Sequence, residues 1–291
     1  MTPTDIKAIM QSIDSRPIHA LGQNFLVDQA ALKDIVQAAE IKKGEHILEI
    51  GPGLGVLTKE LIASGAHVTA IEKDKKLLDY MAQRPYSVQL HHGDAAKLDW
   101  NKLIGNKPWK FISNLPYSIT SLALRKSLYE VDPAPELLVV LVQREVAERV
   151  LMRDSKMSLL SLMVGLAVGP VETHNHASNR EQKNLQIIRR VPPGAFYPPP
   201  KVESAILKIV PTSHESRVTL WGIEPEDVMS VAKKGFAHPR KLLFRNLGLD
   251  EKSWTRTAEN LGINIKARAE DLNVQQWVEL ARTNSYIRSN S

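Results

Sequence analysis

Between residues 45 and 143 the sequence alternates short, β-rich apolar runs with segments of helical periodicity, a pattern few folds accept. His46-Ile47-Leu48-Glu49-Ile50 reads as a strand ended by glycines. Leu54, Leu57, Leu61 and Ile62 fall at i, i+3, i+7 and i+8, one face of a helix closing near Gly65. His67–Glu72 reads as a second strand, after which Asp74 can cap a helix through Met81. Val88–His91 and Lys110–Ser113 read as the third and fourth strands, the latter followed by a helix from about Ile119 to Tyr129. Glu136–Gln143 is the fifth, with the unbroken apolar run that a strand buried on both faces requires. Strands separated by helices imply right-handed crossovers and a parallel sheet with helices on both sides, a doubly wound α/β layer structure.

Downstream the pattern changes. Arg144–Gly169 reads as helical. Val171–His176, Leu185–Arg190 and Val202–Val210 then read as strands without a long helix between them, antiparallel additions closing one edge of the sheet. Beyond Pro211 the periodicity is helical again, over Pro225–Phe236, Arg240–Leu247, Trp254–Leu261 and Val274–Thr283. The expected division is an α/β domain over residues 1–210 and a small C-terminal α-helical domain over 211–291. A chain of 291 residues is long enough to bury both cores. The absence of cysteine excludes disulfides, thiolate metal sites and cysteine nucleophiles. The nine histidines show no metal-ligand spacing, so no metal is expected. Lys and Arg number 38 against 32 Asp and Glu, and the net charge of +6 leans toward an anionic partner such as nucleic acid. Met1 to His19 contain charges and no apolar block, and no apolar run approaches the ~20 residues of a membrane span. A cytoplasmic protein with no membrane attachment is therefore expected.

Three strand ends carry chemistry. Gly51-Pro52-Gly53-Leu54-Gly55 lies between the first strand and its helix, where backbone can approach a ligand and a helix N-terminus offers unpaired N–H groups. The dinucleotide fingerprint G-x-G-x-x-G fails, because its third glycine would fall at Val56. G-x-G-x-G is the form common in S-adenosylmethionine-dependent methyltransferases, although the turn alone also suits a plain strand–helix connection. Glu72, ending the second strand, can accept both ribose hydroxyls of an adenosine, or serve as a cap. Asp94 is placed to accept an adenine amino group, or to make an Asx turn.

The most specific signal is Asn114-Leu115-Pro116-Tyr117. Methylation of an exocyclic adenine amine needs such features, because the N6 lone pair is delocalised into the ring. Hydrogen bonds from the N6 hydrogens to the Asn114 side-chain oxygen and a backbone carbonyl favour the tetrahedral nitrogen that attacks. Pro116 stiffens the turn, and the Tyr117 ring offers a stacking face for the extracted base.

These motifs, in this order, resemble the ribosomal RNA adenine N6-dimethyltransferase family, most closely its small-subunit branch. Leu21-Gly22-Gln23-Asn24-Phe25-Leu26 resembles the family's N-terminal cofactor motif. Val142–Ala147, Val191–Ser204 and Phe236–Leu247 resemble later family segments, so the similarity runs nearly end to end. The resemblance implies a class I, Rossmann-like methyltransferase with a mostly parallel seven-stranded sheet. It implies Asn24, Leu26, Gly51, Glu72, Asp94 and Asn114 as contacts to S-adenosylmethionine, with Glu49 orienting the methionine amino group. It implies Asn114, Pro116 and Tyr117 as catalytic residues and Phe196 as a second face for the flipped adenine.

The implied reaction is methyl transfer to N6 of two adjacent adenosines near the 3′ end of small-subunit rRNA, by a monomer acting on the immature small ribosomal subunit. Lys233, Lys234, Arg240, Lys241 and Arg245, interleaved with Phe236 and Phe244 and free of acids, suit an RNA backbone or a solvated helix face. Where the family carries an aromatic–glycine pair this chain has Met157-Ser158, so no RNA contact is carried over to that loop. Asn24 also has a structural reading, since Val27, Asp28 and Leu32 form a hydrophobic staple around a helix cap. Three rivals stand beside the small-subunit reading. One is the large-subunit branch, which typically has isoleucine where this chain has Leu115. The others are a nicotinamide dehydrogenase and a non-enzymatic RNA-binding assembly or transcription factor.

Overall fold

The computed structural model describes residues 1–151, 156–169 and 184–289, without the side chains of 284–289. The expected strand Val171–His176 lies outside the described residues. The chain divides into two compact units, Met1–Ala147 with Lys183–Pro211, and Glu148–Gln182 with Thr212–Ser291.

In the first unit the helices are α1 (Pro3–Ser12), α2 (Gln29–Ala38), α3 (Val56–Ala63), α4 (Lys75–Ala82), α5 (Trp100–Ile104) and α6 (Thr120–Tyr129). The strands are β1 (Phe25–Leu26), β2 (His46–Ile50), β3 (His67–Glu72), β4 (Val88–His92), β5 (Trp109–Asn114), β6 (Leu137–Gln143), β7 (Leu185–Val191), β8 (Phe196–Tyr197) and β9 (Ser204–Ile209). Seven strands make one sheet in the order β4-β3-β2-β5-β6-β9-β7. The first five of that order are mutually parallel. β9 is antiparallel to both β6 and β7. Among the described strands β9 alone therefore runs against the sheet. The expected antiparallel additions at one edge are present as β9 and β7, and because β9 inserts between β6 and β7, β7 itself runs parallel to the first five strands.

Burial follows the pattern of the sequence. Every residue of β6 from Leu137 to Val142 is buried, as a central strand covered on both faces must be. Ile47, Val68, Ile112 and Val139 pack with Leu32 and Ile35 of α2 and Leu57 and Leu61 of α3. A second cluster joins Ile6 and Met10 of α1 to Phe25, Leu54, Leu77, Tyr80 and Met81. α1 is held by a capping box in which Thr2 and Asp5 serve each other's backbone N–H groups, with Pro3 in the first turn. The predicted cap of α2 is present, with the Asp28 carboxylate accepting from the amides of Ala30 and Ala31. Strand order reverses around β2, which is flanked by β3 on one side and β5 on the other. That reversal leaves a crevice at the carboxyl ends of these strands.

The second unit comprises the last three residues of α7 (Arg144–Val150), with α8 (Leu159–Val168), α9 (His214–Trp221), α10 (Pro225–Gly235), α11 (Leu243–Leu247), α12 (Glu251–Asn260) and α13 (Val274–Ser289). It begins well before residue 211, and the single helical stretch expected over Arg144–Gly169 is two helices. Ser158 caps α8, its Oγ accepting from the Ser161 amide at 3.1 Å. α8 is buried at every residue from Ser161 to Val168, so it needs partners on all sides. Those partners come from the C-terminal helices. Trp221 Nε1 donates to Leu166 O at 3.0 Å, and a Cβ on Gly165 would lie 2.8 Å from Val274 Cγ2. Met157 is buried and its amide donates to Glu270 O at 2.9 Å. Among the described residues no helix is long and apolar enough to cross a membrane.

Candidate active site

β2 ends in a turn that only glycine tolerates. Gly51, Gly53 and Gly55 have φ of +67°, +58° and +78°, a region that costs other residues roughly 1–2 kcal/mol each. Packing tightens the requirement, since a Cβ on Gly55 would lie 2.5 Å from Met81 Sδ and one on Gly53 would lie 3.0 Å from Phe25 Cε1. The turn therefore presents bare backbone to the cleft beside it.

Two buried carboxylates stand behind that turn. Glu72, at the end of β3, is 5 % exposed. Its Oε2 accepts from Gly53 N at 3.1 Å and its Oε1 from Asp74 N at 2.8 Å, so each oxygen keeps one lone-pair direction for a ligand. Burial pushes its carboxyl up, against the pull of these backbone N–H groups. Glu49 on β2 is 2 % exposed and accepts from Thr58 Oγ1 at 2.7 Å. Its carboxyl is pushed up to about 8 by burial, opposed by the Thr58 hydroxyl and assisted by the Glu72 charge.

The Glu49 shift has a definite sign. In the window between the ordinary glutamate value of 4.5 and about 8 the folded protein keeps a proton that the unfolded chain has released. Glu49 therefore supports the ligand-free fold below that window and ceases to do so as pH rises through it. Glu49→Gln is expected to flatten this decline, so that denaturant unfolding curves of variant and wild type separate progressively from pH 5 to pH 8. Parallel stability profiles would contradict the assignment.

Asp94 follows β4 and makes the Asx turn, its Oδ1 accepting from Ala96 N at 2.9 Å. Lys73 Nζ donates to its other oxygen at 2.9 Å, and this bond, with the Ala96 amide, holds the Asp94 carboxyl below the usual carboxylate range. At the end of β5, Ser113 Oγ donates to Ile50 O at 2.7 Å and ties the strand to β2. The Leu115 amide continues the sheet to Leu141 O, and the chain then turns through Pro116 into the 3-10 turn Tyr117–Ile119. Asn114 Nδ2 donates across to Asn24 O at 3.1 Å. That bond turns the amide so that Oδ1 has no hydrogen-bond donor among the described residues. Tyr117 is half-buried, its hydroxyl 2.6 Å from Ser204 Oγ, and burial raises its phenol.

The cleft is roofed by residues 20–26. Gln23 bridges, its Oε1 accepting from Ile18 N and its Nε2 donating to Asp74 Oδ2, both at 2.8 Å. One cavity is lined by Asn24, Leu26, Glu49, Gly51, Glu72, Asp94, Asn114, Pro116 and Tyr117 together. Residues spread over more than ninety positions thus converge at the crevice where the strand order reverses.

The sequence matches the ribosomal RNA adenine dimethylase family over residues 18–285. The chain belongs to that family. It is 36 % identical over 280 residues to ribosomal RNA small subunit methyltransferase A of Dehalococcoides mccartyi, covering 93 % of this chain and 89 % of that protein. It is 35 % identical over 283 residues to the protein of the same name from Trichormus variabilis, covering 91 % and 97 %. The crystal structure of a dimethyladenosine transferase from Plasmodium falciparum superposes with a TM-score of 0.69 at 24 % identity, over 90 % of this chain and 98 % of that one, and shares the fold. Like other members of the dimethylase family, the chain is a methyltransferase that uses S-adenosylmethionine.

Phe196 departs from the role expected for a family base-stacking residue. It is 4 % exposed and packs in the core with Leu26 and Leu32, because β8 pairs with β1 and turns its ring inward. It does not line the cleft, whereas Phe25 does. In the second unit Lys233, Lys234, Arg240, Lys241 and Arg245 are all exposed, and none makes an ion pair among the described residues. The phenylalanines among them are not free platforms. Phe236 stacks on Trp277 at 5.4 Å and Phe244 on Trp254 at 6.5 Å between ring centroids. Gln23 is legible in the sequence only as part of the N-terminal motif, without its bridging role, and Lys126 escapes the sequence reading, since their partners lie 51 and about 30 residues away.

Proposed function

We propose that this enzyme transfers methyl groups from S-adenosylmethionine to N6 of two adjacent adenosines near the 3′ end of small-subunit rRNA, twice each. The observation that carries this reading is the Asn114 amide, held by the Asn24 carbonyl so that its oxygen is available as an acceptor beside the Tyr117 ring. The cleft fits the donor. Its bare glycine turn, the open lone pairs of Glu72 and the Asp94 carboxylate suit an adenosine, and Glu49 suits a cationic amino-acid tail. When bound, S-adenosylmethionine supplies a methyl group made electrophilic by its sulfonium. Asn114 Oδ1 accepts a hydrogen bond from the target amine and draws its lone pair out of the ring. Tyr117 gives the base a stacking face worth about 1–3 kcal/mol, and Pro116 holds the turn. Glu49, protonated in the ligand-free cleft, gives up its proton when a positive group arrives beside it.

The relatives at 35–36 % identity carry small-subunit names, which favours that branch over the large-subunit one. The five exposed cations on α10, α11 and the segment between them suit phosphates of the rRNA, each neutralised phosphate releasing counterions. An immature small subunit is the proposed partner, met by a cytoplasmic monomer. The test is mass spectrometry of small-subunit rRNA after incubation with the protein and labelled S-adenosylmethionine, as naked RNA and as assembly-intermediate subunits. Paired dimethyladenosines on the intermediates support the reading. Dimethylation confined to large-subunit rRNA, or RNA binding without methyl transfer, overturns it.

A further inference from the structure

The loop after β4 forms one wall of the cleft through Gly93, Asp94, Ala95 and Ala96. Three of its carbonyls turn away from the cleft toward one side chain. Lys126 Nζ, from the middle of α6, donates to Leu98 O at 2.6 Å, Ala95 O at 3.2 Å and Ala96 O at 3.4 Å. The same nitrogen lies 5.3 Å from the centroid of the Trp100 ring, and Trp100 Nε1 donates to Ala95 O at 2.9 Å. Lys126 is 9 % exposed and makes no ion pair with a carboxylate among the described residues.

A buried ammonium without a counter-ion is costly unless its three N–H donors are all matched, and here three carbonyls match them. A helix–loop contact needing only bulk would be met by an apolar residue. The ammonium adds direction, because carbonyls converging on one cation fix the peptide planes between residues 95 and 98. Those planes orient the Ala96 amide, which holds Asp94 Oδ1. α6 also begins at Thr120, directly after the Asn114–Ile119 turn, so one rigid helix carries the turn at one end and the loop's anchor near its middle.

We infer that Lys126 is a positioning residue for donor recognition. Its ammonium sets the Ala95–Leu98 backbone so that Asp94 meets the adenine of the donor in a fixed place. This inference rests on the cleft being the S-adenosylmethionine site.

Titration calorimetry with S-adenosylhomocysteine and with 5′-methylthioadenosine, which lacks the amino-acid tail, tests it. Lys126→Met is expected to weaken both probes by the same factor, about thirtyfold. Lys126→Gln, which keeps two N–H donors, is expected to fall between variant and wild type. In steady state the Lys126→Met enzyme should show a raised KM for S-adenosylmethionine with kcat within threefold of wild type. A merely structural role would lower the melting temperature and leave both affinities within twofold, which would overturn the inference. If Lys126→Met does not fold, the Lys126→Gln affinities decide by the same criterion. Wild-type protein unable to bind S-adenosylhomocysteine would overturn the assignment of the cleft and this inference with it.

Discussion

Asn114→Ala is expected to lower single-turnover methyl transfer by about a thousandfold at saturating donor, the scale of losing a preorganised polar group aimed at the reacting atom. Two bonds disappear together. The target amine loses its acceptor, and Asn24 O loses the 3.1 Å bond that ties the roof to the turn. Donor affinity should therefore also fall, but remain measurable by calorimetry. Asn114→Asp separates the two contributions, since it keeps an acceptor while removing the donor to Asn24 O. It should lose donor affinity as the Ala variant does while keeping a faster rate of transfer than that variant. Rapid-quench measurement of methyl incorporation by the Ala variant, showing a rate within tenfold of wild type, would remove Asn114 from the chemistry.

The second large effect is at Glu72. Its carboxylate accepts from Gly53 and Asp74 and, in the proposed complex, from the donor's ribose. Glu72→Ala leaves two backbone amides beside the glycine turn without their acceptor and removes the ribose contact as well. Hydrogen bonds to a charged group are each worth about 1.5–3 kcal/mol, so losing the two bonds proposed to the ribose hydroxyls predicts affinity for S-adenosylhomocysteine about 100-fold weaker or more. Stability should suffer less than binding, because the carboxyl is already disfavoured by its burial. Calorimetry alongside thermal unfolding checks both halves. A dissociation constant within fivefold of wild type would contradict the role.

Much of this site was legible before any coordinates. The turn at Gly51, Gly53 and Gly55 declares itself because three left-handed residues in alternation admit little else. β6 declares itself because an unbroken apolar run must be covered on both faces. Asn24, Glu72, Asp94 and Asn114 were legible as strand-end or motif residues, and they do line one cleft. What stayed hidden depends on partners distant in sequence. The inward turn of Phe196 follows from a two-residue pairing with β1, too short to leave a periodic signal. α8 reads as apolar all round, which says that it is buried and not by which part of the chain. Phe236 and Phe244 look like stacking platforms among cations until Trp277 and Trp254 are seen to occupy their faces.

The roof over the cleft has a consequence for turnover. Converting one adenine amine to its dimethyl form consumes two equivalents of donor, so spent thioether must leave and a fresh molecule enter midway. The segment above the pocket is anchored at one end, where Phe25 and Leu26 pair with β8 and lie in the core, and before that by the side-chain links of Gln23 to Asp74 and of Asn114 to Asn24. Parting those side-chain links would free residues 20–24 while Phe25 and Leu26 stay in the core, so the exchange of donor and the re-aiming of the Asn114 amide are coupled through one bond.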